Sequence, residues 1–120
     1  STPIKSSAAS DVYKRQFTSS AALLDAVVLA VVSREEQGTY GYRITQQIKE
    51  VLDLSESALY PVLRRLQKDQ CLTVYDETIN GRNRRYYQTT SKGLEQLDRY
   101  RADWKEYSQK IDHLFWGEPS

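Results

Sequence analysis

LSESALYPVLRRLQKDQCL, residues 54–72, reads at helical spacing as a segment with two unlike faces. Leu59, Leu63, Leu66 and Gln70 fall on one side, and Ser57, Tyr60, Arg64 and Lys68 on another. This is the pattern of a helix anchored in a core with a polar, basic face turned outward. Ser55 stands at the N-cap position, and Glu56 lies in the positive first turn. Pro61 falls well inside the segment, where its missing N–H and ring clash cost roughly 3 kcal/mol in an ordinary helix. Either the helix begins nearer Ser57, or a kink is tolerated because its N-terminal half has a task.

Upstream, AALLDAVVLAVV (residues 21–32) is apolar on almost every face except at Asp25, which predicts the most buried helix of the domain, with Thr18, Ser19 and Ser20 available as caps. A charged turn closing on Gly38 leads to a second, amphipathic helix over Tyr40–Leu52, capped by Thr39 and carrying Ile44, Ile48, Val51 and Leu52 at helical intervals. Downstream, Leu72–Asp76 and Arg84–Thr89 read as two short strands joined through Asn80-Gly81. Two strands alone are marginal, so the hairpin must lie against the helices. Three helices followed by a hairpin give a mainly α fold with a small β-hairpin, the plan of a winged helix-turn-helix.

Thr90 or Ser91 then caps a long helix reaching about Phe115, ~37 Å at 1.5 Å per residue. Leu97, Tyr100, Trp104, Tyr107, Ile111 and Leu114 keep heptad spacing along it. This predicts a C-terminal dimerisation helix whose seam meets a second copy; the alternative is a helix folded back on its own core. The organisation expected is a flexible leader over 1–17, a DNA-binding domain over 18–90, the dimerisation helix over 91–116 and a tail over 117–120.

One hundred and twenty residues suffice for one domain with a modest core. The 17 Lys and Arg against 16 Asp and Glu leave a net charge of +1, so a polyanion partner can be argued only from local clusters. The one cysteine, Cys71, forms no internal disulfide, which favours a cytoplasmic setting. No apolar run approaches the roughly 20 residues of a membrane span. Neither Cys71 nor the one histidine, His113, has companions at metal or catalytic-triad spacing, and no phosphate-binding Gly-rich loop is present. No cofactor, no metal and no enzymatic activity are expected.

In a helix-turn-helix the second helix of the motif enters the major groove. On that geometry Ser55, Ser57, Tyr60 and Arg64 face bases or phosphates, with Arg65 and Lys68 mostly toward phosphates. For Arg65 an internal ion pair with the last helix is an equal alternative. Arg82, Arg84 and Arg85, set among Asn80, Gly81 and Asn83, suit entry into a narrow minor groove, or else guard an edge strand with charge.

SALYPVLRRLQKDQCL followed by NGRNRRYYQTTSKGLEQL resembles the PadR family of bacterial transcriptional regulators. The residues that carry the resemblance are Leu59, Tyr60, Pro61, Arg65, Leu66, Arg84, Arg85, Tyr86, Tyr87, Thr90 and Gly93, with Tyr40-Gly41-Tyr42 where the family usually has His-Gly-Tyr. The likeness runs from Leu23 to about Leu114, and the single C-terminal helix is similar to the short subfamily that includes the lactococcal multidrug-responsive regulator. Gln70 departs from the family, which usually has Gly there and so obtains a left-handed helix cap. The resemblance implies a homodimeric repressor of double-stranded operator DNA. It also implies a small planar aromatic effector at Trp104, where Tyr100, Asp103 and Tyr107 would complete a stacking site. Ring packing that only holds the dimer together is the plainer account of those residues. A winged-helix dimer serving as a protein-interaction module, without DNA, and a regulator with no effector are the competing functions.

Overall fold

The computed structural model describes residues 20–117. The expected leader over 1–17, the caps Thr18 and Ser19, and residues 118–120 of the tail lie outside the described residues. Helix α1 (Ser20–Ser33) is followed by β1 (Thr39–Tyr40), α2 (Gly41–Lys49), α3 (Glu56–Lys68), β2 (Leu72–Ile79), β3 (Arg82–Thr89) and α4 (Ser91–Trp116).

The apolar rows read from the sequence meet in one core. Val28, Leu29, Val31 and Val32 of α1 pack with Ile44 and Ile48 of α2, with Leu59, Val62, Leu63 and Leu66 of α3, and with Cys71 and Leu72 beyond it. The apolar spacing of α2 runs on past the helix itself, because the chain turns at its Glu50 cap to enter α3. Val51 is 81 % exposed and Leu52 is exposed too, contrary to their expected place on the buried face.

The sheet has three strands, not two, in the antiparallel order β1-β3-β2. Thr39 pairs with Tyr87 and Tyr40 with Tyr86, so the residue expected to cap α2 belongs to a strand and the cap is Tyr40. A two-residue strand has no alternation to betray it. The hairpin strands are each eight residues long and pair from Leu72–Thr89 out to Ile79–Arg82. Asn80 and Gly81 both have positive φ, 54° and 77°, as a two-residue hairpin turn that matches strand twist requires. The base of the hairpin is tied to the α1–β1 turn where Tyr75 donates to the Gln37 carbonyl and Gln88 to that of Glu36.

Helix α3 runs through Pro61 without ending. At its C-terminus Cys71 N–H donates to the Leu66 carbonyl (2.9 Å) and Gln70 N–H to that of Gln67 (3.0 Å), the paired bonds of a Schellman cap. Gln70 occupies the left-handed position with φ 65° and is exposed, so helical spacing misplaced it on the core side. A side chain in that conformation costs about 1–2 kcal/mol, part of which glycine returns through the unfolded chain. Gln70→Gly is therefore expected to stabilise the fold by about 0.5–1 kcal/mol in urea melts, an unchanged midpoint being the contrary result.

Thr90 caps α4: its Oγ1 accepts from Gly93 N–H (3.0 Å) and donates to the Gln70 carbonyl (2.7 Å), while its own N–H donates to the Cys71 carbonyl (3.0 Å). The start of α4 is thus bonded to the end of α3. Leu97 and Tyr100, each 3 % exposed, pack into the core of their own subunit. This corrects their expected place on the dimer seam and, for Tyr100, at the ligand site, since a side chain buried in its own subunit offers a second copy almost no surface. Of the heptad residues of α4, Trp104, Tyr107 and Leu114 are exposed, as are Phe115 and Trp116 at its end.

Candidate nucleic-acid interface

The polar face expected of α3 is on the surface. Ser57, Tyr60, Arg64 and Lys68 are all exposed. Ser55 holds the N-cap position in extended backbone, but its hydroxyl lies 3.0 Å from that of Ser57 and does not cap the helix. Arg65 is turned the other way. Its Nε and Nη2 donate to Oδ2 and Oδ1 of Asp25 at 3.3 and 2.5 Å, a two-point pair with the fully buried carboxylate of α1. That corrects both earlier readings of Arg65, as a phosphate contact and as a partner of the last helix. The hydrogen bonds to Asp25 raise the guanidinium above its ordinary pKa, against the opposing pull of burial.

The three hairpin arginines differ in their surroundings. Arg82 lies beside the exposed turn. Arg84 is half-buried, with its guanidinium carbon 4.4 Å from the centre of the Tyr40 ring. Arg85 faces Asp76 across the ladder at 3.7 Å, an exposed pair worth little. Tyr86 stacks on Tyr75 (5.4 Å) and meets Tyr40 edge-on (5.6 Å), so a row of rings crosses all three strands and holds Tyr40 beneath Arg84.

Between α3 and the hairpin lies an open cleft of about 440 Å³, lined by Tyr40, Gly41, Tyr42, Tyr60, Arg84, Arg85 and Tyr87. Burial pushes the Tyr87 phenol above its ordinary pKa, with Arg85 pulling the other way, so its hydroxyl stays protonated at neutral pH. Tyr42 and Tyr87 line the cleft and are not among the site residues expected from the sequence. The Tyr-Gly-Tyr run was visible in the sequence, but nothing local showed that β1 would bring it beside β3.

On α4, Trp104 and Tyr107 have ring centres 6.3 Å apart, and Trp104 is 47 % exposed. Asp103 is half-buried next to them, and Ile111 is half-buried a turn beyond Tyr107. Among the described residues no group of His, Cys, Asp and Glu could hold a metal, and no helix is long and apolar enough to cross a membrane.

Comparison with known proteins places these elements. The profile of the transcriptional regulator PadR-like family matches residues 28–99, from the middle of α1 into the buried first turns of α4. The chain belongs to the PadR-like family. Its fold is that of a Streptococcus mutans protein of known structure, 37 % identical with a TM-score of 0.72 over 81 % of this chain and 90 % of that one. It is also that of a PadR-like regulator from Bacillus cereus, 31 % identical with a TM-score of 0.70 over 80 % and 94 %. Bacillus subtilis PadR, solved with operator DNA, shares the fold at 22 % identity, with a TM-score of 0.57 over 63 % of this chain and 44 % of that one. PadR-like proteins are transcriptional regulators and not enzymes, and the winged-helix arrangement expected from the sequence is the one this chain has.

Proposed function

We propose that this PadR-like chain is a homodimeric, DNA-binding repressor of a pseudo-palindromic operator. The observation that carries the reading is the joint exposure of Ser57, Tyr60, Arg64 and Lys68 on α3 and of Arg82 and Arg85 on the adjoining hairpin, a polar and cationic surface on an otherwise near-neutral protein. Helix α3 enters a major groove, with Ser55 at its leading end. The hairpin follows the flanking minor groove, with Arg82 at its tip. The exposed seam of α4, comprising Trp104, Tyr107, Ile111 and Leu114, joins two copies so that their recognition helices stand roughly one DNA turn, ~34 Å, apart. Such a protein works beside the chromosome, in the cytoplasm.

A small planar aromatic molecule stacking at Trp104 and Tyr107 beside Asp103 is the effector reading, supported by the exposed pair of rings. Its release of DNA requires a coupling of about 1–3 kcal/mol between the two sites.

Titrating the chain against duplexes from upstream of its own gene at several salt concentrations tests the DNA reading. Affinity is expected to fall steeply and log-linearly with salt; a flat response would leave a protein-interaction module. Arg84→Ala combined with Arg85→Ala is expected to weaken binding to every duplex and to flatten the slope by about one to two units. An unchanged slope would remove the hairpin from the interface.

A further inference from the structure

Read from spacing, Tyr60 is a candidate for contact with bases or phosphates. Its position suits the second. An ideal Cβ built on Gly41 would stand 3.2 Å from Tyr60 Cε1 and 3.4 Å from its hydroxyl oxygen, so the ring lies over the first turn of α2, at the wall of the cleft that Tyr60 lines. The first turn of this nine-residue helix receives no side-chain cap, because Tyr40 holds the N-cap position and has no group that bonds back. Its amide N–H groups and the positive end of the helix dipole are therefore available to an anion.

The other walls have the same chemistry. Arg84 is steadied over Tyr40, and Arg85, Tyr42 and Tyr87 also line the cleft. None of the lining residues is acidic, and their side chains include two guanidinium groups and four phenols, all able to donate hydrogen bonds. Donors from a helix start, guanidinium groups and phenols suit the oxygens of a tetrahedral oxyanion, which only accept hydrogen bonds.

We infer that this cleft seats one backbone phosphodiester of the bound duplex, with Tyr42, Tyr60 and Arg84 as its ligands, and that Tyr60 is a phosphate contact and not a reader of sequence. The inference rests on the DNA-binding reading and assigns a specific task within it. Tyr40, where the resemblance leads one to expect His, steadies the arginine on one side of the seat.

The test uses the full chain and two duplexes of equal length, one selected by the wild type from a randomised library and one of unrelated mixed sequence. Tyr42→Phe and Tyr60→Phe each remove one hydroxyl. Each is expected to lower affinity for both duplexes by the same factor, about five- to tenfold. Selection repeated with Tyr60→Phe should return the wild-type consensus. A methylphosphonate scan should find one position where loss of charge weakens the wild type but not the doubly substituted chain. Thermal melts close to the wild type would show that both variants fold. A shifted consensus for Tyr60→Phe, or unchanged affinity in both variants while the wild type binds, overturns the seat alone. A wild type that binds neither the library nor the unrelated duplex overturns the DNA reading and the seat together.

Discussion

Arg65→Met should lower the stability of the folded chain by about 3 kcal/mol, the lower end of the range for breaking a buried ion pair. The loss follows from what is left behind. Asp25 has no exposed surface, and Arg65 supplies a two-point hydrogen-bonded cation to its carboxylate. Arg65 itself keeps about a third of its side chain in water (36 %), which places the cost at the lower end. At fixed protein concentration the melting temperature should fall by roughly 10–20 °C. Replacing both residues, Asp25→Leu with Arg65→Met, removes the buried charge and should recover most of the loss, because an apolar pair of similar volume often does as well as a buried salt bridge. A single variant that melts like the wild type would show that the carboxylate is compensated elsewhere.

Gly93→Ala should cost about 2–3 kcal/mol, near the top of the usual range for overpacking. A Cβ on Gly93 would overlap the Cys71 carbonyl oxygen and stand 2.8 Å from Thr89 Cγ2. The obstruction is mostly backbone, so no rotamer change relieves it. Helix propensity alone would have alanine stabilise the position, which makes the sign of the effect decisive. Glu95→Ala, at an exposed position on the same helix, should stay within about 0.5 kcal/mol of the wild type. A Gly93→Ala chain as stable as the wild type would mean that the α3–α4 junction opens at little cost.

The elements that were legible in the sequence are those whose information is local. Leu59, Leu63 and Leu66 repeat at the helical period, Asn80-Gly81 has few conformations open to it, and Thr90 precedes a long regular run. What escaped depends on distant partners. Strand β1 exists because Tyr86 and Tyr87 offer it an edge, and the cleft needs Gly41, Tyr60 and Arg84 from three separate segments. Asp25 was visible as a charge in an apolar helix and Arg65 as a cation with either a phosphate or the last helix to meet, yet forty positions separate the two that pair. Leu97 and Tyr100 share the heptad step of Trp104, and periodicity cannot tell a residue spent on its own core from one left for a second copy.

The bonding of Thr90 to Gln70 and Cys71, with no clearance at Gly93, makes α3, the root of the hairpin and α4 a single lever. In the proposed dimer its fulcrum lies on the Trp104–Leu114 seam, whose middle stands about 18 residues of α4, ~27 Å, from the end bonded to the recognition helix. A tilt of only about 7° at that seam would carry α3 sideways by ~3 Å over this length, close to the rise of one base pair. Repression in such a machine would be governed by angle more than by local affinity, and a joint that did not yield would be what lets a small rotation between two helices be felt at the DNA.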